Sequence, residues 1–140
     1  PDKAGLNVFL KSEKLTIFAA AWTPQMNLMP HDHLMWANIG IYTGREDNIF
    51  WRRLPGNARG RVEAAGAKSL GPGDVRPLGE EIIHSVTNPT AKLTGALHVY
   101  GGDFFTEARS EWDPESLEER PYDIEKNVRY FEQANRSMAR

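Results

Sequence analysis

Over roughly its first hundred residues the chain alternates apolar and polar side chains in short runs. In residues 15–22 (LTIFAAAW), 37–44 (ANIGIYTG) and 48–54 (NIFWRRL) every second side chain falls on one face, the period of a half-buried β-strand. Residues 44–47 predict a hairpin turn joining the last two runs. Residues 67–79 (AKSLGPGDVRPLG) carry Gly and Pro corners that predict tight bends. Two more strand-like runs follow, residues 81–86 (EIIHSV) and 92–102 (KLTGALHVYGG), on either side of a corner at Asn88-Pro89. Short strands punctuated in this way predict an all-β sandwich or closed barrel, not alternating β-α units. The pattern changes at Glu111. Residues 112–123 (WDPESLEERPYD), interrupted by Pro114 and Pro121, predict an extended linker. Asp123 is placed to cap a helix running to about Ala134, with Ile124, Val128 and Phe131 on one face. The organisation expected is one domain: a barrel over 1–110, then a linker and helix over 111–140, the helix packed outside the barrel as a structural element.

Composition narrows the function classes. With 140 residues and 40% hydrophobic content the chain can bury one core. A net charge of -2 and a pI near 6.1 give no polyanion-binding surface. Arg45, Arg52, Arg53, Arg59 and Arg61 are interleaved with acids and apolar residues, so no nucleic-acid partner is expected. No apolar run reaches the roughly 18 residues of a membrane span, and the start shows no signal-peptide pattern. The expectation is therefore a cytoplasmic protein without membrane contact. The first residue is Pro, which implies a processed or trimmed start and leaves open residues upstream. Cysteine is absent, which removes disulfides, thiolate metal sites and cysteine nucleophiles. A metal would have to be held by His, Asp or Glu.

The four histidines lie between positions 31 and 98. His31 and His33, in PHDHLMW, are two apart, and on a strand residues i and i+2 share a face. His84 sits within another apolar strand-like run. Neutral imidazoles bind first-row metals, and three of them leave coordination positions open. Asp32, between the first two, should face the other way. His98 and Tyr100 share a face of their strand. Each has a plainer explanation: a hydrogen-bonded core histidine at His84, ordinary interior residues at His98 and Tyr100, a surface ion pair of Arg109 with Glu107 or Glu111.

The stretch around His31-Asp32-His33, with Gly44, resembles the first motif of the cupins, G-x5-H-x-H-x(3,4)-E-x6-G. Gly73, Pro77, Gly79, His84 and Asn88 resemble the second, G-x5-P-x-G-x2-H-x3-N. The resemblance implies a cupin double-stranded β-helix, a jelly-roll barrel, with His31, His33 and His84 as metal ligands. Where ordinary cupins carry a fourth ligand, a Glu, this chain has Ala37 and Asn38. An all-histidine site is similar to that of the thiol dioxygenases, the group of cysteine dioxygenase and 3-mercaptopropionate dioxygenase. His98 and Tyr100 resemble that group's Ser-x-His-x-Tyr motif, with Ala96 in the Ser position. Arg109 resembles the Arg that grips the substrate carboxylate in 3-mercaptopropionate dioxygenases. The resemblance implies an iron(II) enzyme, with zinc or nickel as alternative occupants in a purified sample. It would oxidise a small thiol with dioxygen to a sulfinic acid, with His98 and Tyr100 as catalytic groups and Arg109 on the substrate. Other three-histidine cupins cleave diketones or diols, and others could bind metal without catalysis. A monomer or a homodimer fits equally.

Overall fold

In a computed structural model describing residues 1–139, the alternating runs form strands. These are β1 (Gly5–Lys11), β2 (Thr16–Trp22), β3 (Asn27–Asp32), β4 (Ala37–Thr43), β5 (Glu46–Arg53), β6 (Val62–Leu70), β7 (Val75–Leu78), β8 (Ile83–Thr87), β9 (Thr94–Tyr100), β10 (Ser110–Trp112) and β11 (Glu119–Pro121). One helix, α1 (Ile124–Met138), follows. Two antiparallel sheets result, one ordered β1-β2-β9-β4-β7 and the other β11-β10-β3-β8-β5-β6. The architecture is a jelly-roll sandwich. Among the described residues no strand ladder joins the two sheets, so the barrel expected from sequence is not closed by hydrogen bonds.

The period of two decides what lies between the sheets. Phe18, Ala20 and Trp22 from β2, Ala37, Ile39 and Ile41 from β4, and Ala96, His98 and Tyr100 from β9 are all buried. From the opposing sheet come Leu28, His31, His84 and Val86. Three histidines thus stand among the apolar side chains between the sheets, and His33, just past the end of β3, is buried as well. A smaller cluster of Val62, Ile83 and Trp112 packs separately.

Three local expectations are corrected. Residues 44–47 do not make a hairpin, because β4 pairs with β7 and β9 while β5 pairs with β6 and β8. They carry the chain across to the other sheet. Gly44 permits this: its φ is +81°, and a Cβ there would run into the backbone of Thr94. Residues 112–123 are not an extended linker, since β10 and β11 form a hairpin that extends the second sheet beside β3. Pro121, at the end of an edge strand, leaves that pairing intact. The helix runs beyond Ala134, and its buried residues are Asn127 and Phe131, whereas Val128 is exposed. Asp123 caps it as expected, accepting from the Lys126 backbone N–H at 3.0 Å. Phe131 stacks on Trp22 with ring centroids 5.3 Å apart, so α1 closes one mouth of the sandwich. No helix is long and apolar enough to cross a membrane among the described residues.

Candidate metal centre

Strands β3 and β8 pair with His31 opposite His84. The register slips between Leu28 and His31, where Pro30 has no N–H to give the ladder. Such a bulge re-aims the side chains that follow it. His33 lies just past the end of β3, beside Leu34 at φ 57°. A left-handed conformation there costs a non-glycine residue on the order of 1 kcal/mol, and the sharp turn leaves His33 fully buried. The three rings gather with centroids 4.7–5.1 Å apart. One nitrogen from each lies within 4.8 Å of the others.

Hydrogen bonds to two of the rings set their tautomers, whereas His33 Nδ1 has no partner. His31 Nδ1 is 2.9 Å from the Met29 carbonyl oxygen, which can only accept, so Nδ1 carries the proton and Nε2 is left as a lone pair. His84 Nδ1 lies 2.7 Å from Asn48 Oδ1. While Glu46 is ionised Asn48 is held this way round, because its Nδ2 donates to Glu46 Oε1 at 3.0 Å, and the Trp22 indole donates to Glu46 Oε2 at 3.2 Å. His84 Nε2 is therefore also bare, and it stands 3.2 Å from His33 Nε2. Two imidazole nitrogens bound to one first-row cation at about 2.0–2.1 Å are separated by about 3.0–3.4 Å. The three-imidazole donor set, the tautomers of His31 and His84 and the 3.2 Å His33–His84 separation suit one divalent cation held by His31, His33 and His84, with the Glu46–Asn48 pair orienting the last.

Burial keeps these imidazoles neutral and ready to coordinate. It lowers the pKa of His31 to about 4, aided by the positive charge of Arg109. Burial and then neighbouring imidazoles push His33 and His84 well below the usual value. Burial also raises Glu46 to about 7, against the hydrogen bonds from Asn48 and Trp22.

His98 and Tyr100 reach the same interior from β9. His98 Nδ1 is 2.8 Å from the Tyr100 hydroxyl, and Tyr100 packs edge-on against His33 with centroids 5.0 Å apart. His98, held down to about 3 by burial, stacks on Phe18, and its Nε2 has no partner. Burial raises the Tyr100 pKa, so both groups are neutral near pH 7.

A cavity of about 30 Å³ lies among these residues, lined by His31, His84, His98, Tyr100 and mostly apolar neighbours. Arg109 does not line it. Its guanidinium donates to the Asp32 carbonyl at 2.8 Å and lies over the rings of Phe104 and Tyr122, 4.3 and 3.7 Å from their centroids. Both rings line the cavity, so the charge of Arg109 acts across aromatic faces. The surface ion pair with Glu107 or Glu111 does not form. Glu111 instead binds Arg120, Lys126 and the Asp123 backbone N–H. Asp32 turns away from the metal ligands and accepts from the Ser110 N–H at 2.8 Å.

Sequence reasoning missed Glu46, Asn48, Tyr122 and Asn127. Glu46 and Asn48 were legible as a period-two pair on the buried face of β5, but starting that strand at residue 48 hid the pattern. Nothing in the local sequence marks Tyr122 or Asn127.

No known family model matches the chain. Among solved structures it is similar to an RmlC-like cupin with a double-stranded β-helix from Methanocaldococcus jannaschii, at 9% identity and a TM-score of 0.59, covering 74% of this chain and 84% of that one. A cupin-superfamily protein from Desulfitobacterium hafniense matches at 13% identity and a TM-score of 0.57, covering 72% and 79%. A mutant of Bacillus subtilis oxalate decarboxylase matches at 18% identity and a TM-score of 0.53, over 69% of this chain and 23% of that longer one. At such identities the likeness carries architecture alone, and the architecture is that of the cupins: this chain has the cupin double-stranded β-helix fold.

Proposed function

We propose that the protein is a mononuclear iron(II) dioxygenase that converts a small thiol and dioxygen to a sulfinic acid. The observation that carries this reading is the His98–Tyr100 hydrogen bond beside a cluster of three neutral imidazoles with no carboxylate among them. An iron(II) ion held by His31, His33 and His84 supplies Lewis acidity, which lowers a thiol's pKa, and redox access to dioxygen. The chain's own groups do the rest. Three neutral ligands leave the site cationic, which favours a thiolate. With Nδ1 protonated, His98 donates to the Tyr100 oxygen and frees the phenol hydrogen for a ligand in the cavity. The lining is largely apolar, including Phe18, Leu28, Val86 and Phe104, and excludes bulk water from the reacting atoms. A void of about 30 Å³ admits only a few heavy atoms without rearrangement. The cytoplasm, where small thiols are kept reduced, is the compartment this activity needs.

The apolar lining favours a second reading, cleavage of a small diketone at the same site. It disfavours a dianion such as oxalate, for which the cavity offers no cationic side chain. Oxygen uptake by iron-loaded protein, tested with cysteine, cysteamine, 3-mercaptopropionate and acetylacetone, separates these readings. A thiol product heavier by two oxygen atoms supports the first, and uptake with acetylacetone alone supports the second. No uptake with any of them overturns both and leaves a non-catalytic metal-binding cupin.

A further inference from the structure

Helix α1 carries two asparagines that are treated oppositely by the fold. Asn135 satisfies both ends of its amide on the backbone of Ala4, accepting from its N–H at 2.7 Å and donating to its carbonyl at 2.9 Å. Asn127 is 2% exposed, and neither its Oδ1 nor its Nδ2 has a partner. A buried amide left unpaired is rare and unfavourable, and a leucine there would avoid the loss. The helix is not loosely seated. Its N-terminus is held by the Asp123 cap and by Glu111, which accepts from the Asp123 N–H at 3.0 Å and pairs with Lys126. Its far end is held by Asn135 on Ala4.

Asn127 lines the same cavity as His31, His84, His98 and Tyr100. Among the described residues that line it there is no Asp, Glu, Lys or Arg. Beside Asn127 a carboxylate would lose its water with no cationic side chain to meet it, because Arg109 is behind the rings of Phe104 and Tyr122, and the charge of the metal is met first by the thiolate. A neutral carboxamide or hydroxyl would instead meet a group offering one donor face and one acceptor face.

We propose that Asn127 reads the polar end of the substrate and selects a small ligand whose end is uncharged, a carboxamide or hydroxyl rather than a carboxylate. The inference rests on the reading of this cavity as a substrate pocket and names the substrate class more narrowly. Asn127 is a specificity residue, bringing the C-terminal helix into the site.

The test uses isosteric probes on zinc-loaded protein without oxygen, where no turnover occurs. Calorimetry with 3-mercaptopropionamide and 3-mercaptopropionate should show the amide binding about tenfold tighter or more, the scale of a site that pairs its buried polar groups. In Asn127→Leu and Asn127→Ala the preference should fall to within about threefold, with zinc content unchanged. Asn127→Leu should also melt a few degrees higher, because an orphaned amide is gone. Equal or tighter binding of the carboxylate by the wild-type protein, a preference that survives in both variants, or no binding of either thiol overturns the proposal. Amide binding without oxygen uptake in the iron-loaded protein sinks thiol dioxygenation and leaves this inference standing.

Discussion

Replacing Asn48 with leucine removes the acceptor that holds His84 Nδ1–H at 2.7 Å and, with it, the donor that Glu46 Oε1 receives at 3.0 Å. The leucine is close in size, so the change is chemical more than steric. His84 then has no reason to keep its proton on Nδ1, and the tautomer protonated at Nε2 turns an N–H toward His33 where a lone pair is needed. Loss of such an outer partner weakens metal binding by about 10–100-fold, or about 1.4–2.7 kcal/mol. The metal-free protein should lose on the order of 2–4 kcal/mol as well, because a buried N–H and a buried carboxylate oxygen each go unpaired. Asn48→Asp separates the two effects. It keeps an acceptor on His84 and should hold metal affinity within a few-fold, while still losing stability beside the buried Glu46. Zinc affinity by competition with a chromophoric chelator and stability by urea titration measure both quantities. A dissociation constant for Asn48→Leu within twofold of the wild type would refute the tautomer argument, whatever happens to stability.

Acid should destabilise the metal-free protein well above the carboxylate range. His31, His33, His84 and His98 all have folded-state pKa values pushed below 6.5, chiefly by burial. Their neutral forms are favoured on folding, so this stability is complete above about pH 6.5 and is lost as pH falls toward about 4 for His31 and about 3 for His98. Between pH 7 and 5.5 each imidazole removes about 1.3 kcal/mol, while the Glu46 carboxyl, raised to about 7, returns about 1.6 kcal/mol as it takes up its proton, so urea titrations should show a net loss of about 3–4 kcal/mol; a flat profile counts against four buried neutral histidines. Tyr100→Phe should leave metal content unchanged and lower kcat about 10–100-fold, and turnover equal to wild type removes Tyr100 from the mechanism. Arg109→Ala should lower stability by about 2–4 kcal/mol, since it deletes two ring contacts and leaves the Asp32 carbonyl without its guanidinium donor. It should leave the ratio of KM for 3-mercaptopropionate to KM for cysteamine nearly unchanged, and a selective rise for the carboxylate would show that Arg109 reaches the substrate.

The interior was legible where a period of two ran through apolar residues, as in β2, β4 and β9. The His31–His33 pair was legible for the same reason, although a bulge at Pro30 and the turn at Leu34 aim the rings rather than simple alternation. Residues 44–47 were misread because a glycine-containing bend looks alike whether it reverses a strand or carries it to the facing sheet. Partner choice depends on contacts far away in sequence. Residues 112–123 were misread because prolines and charges mask strands of only three residues, which gain their stability from pairing beside β3. Only the family resemblance placed Arg109 on the substrate, and nothing in the sequence placed it behind Phe104 and Tyr122. That placement is a product of how the β10–β11 hairpin folds against β3. Asn127 shows the limit most clearly, since only the fold reveals that its amide faces a cavity instead of solvent.

The central claim is that three imidazoles hold one cation, and X-ray absorption on protein loaded anaerobically with iron(II) tests it most directly. The account predicts close to one iron per chain and scattering from three imidazole rings at about 2.1 Å, falling to two rings in His84→Ala. Sub-stoichiometric iron with no imidazole scattering, or a spectrum unchanged in His84→Ala, would contradict it.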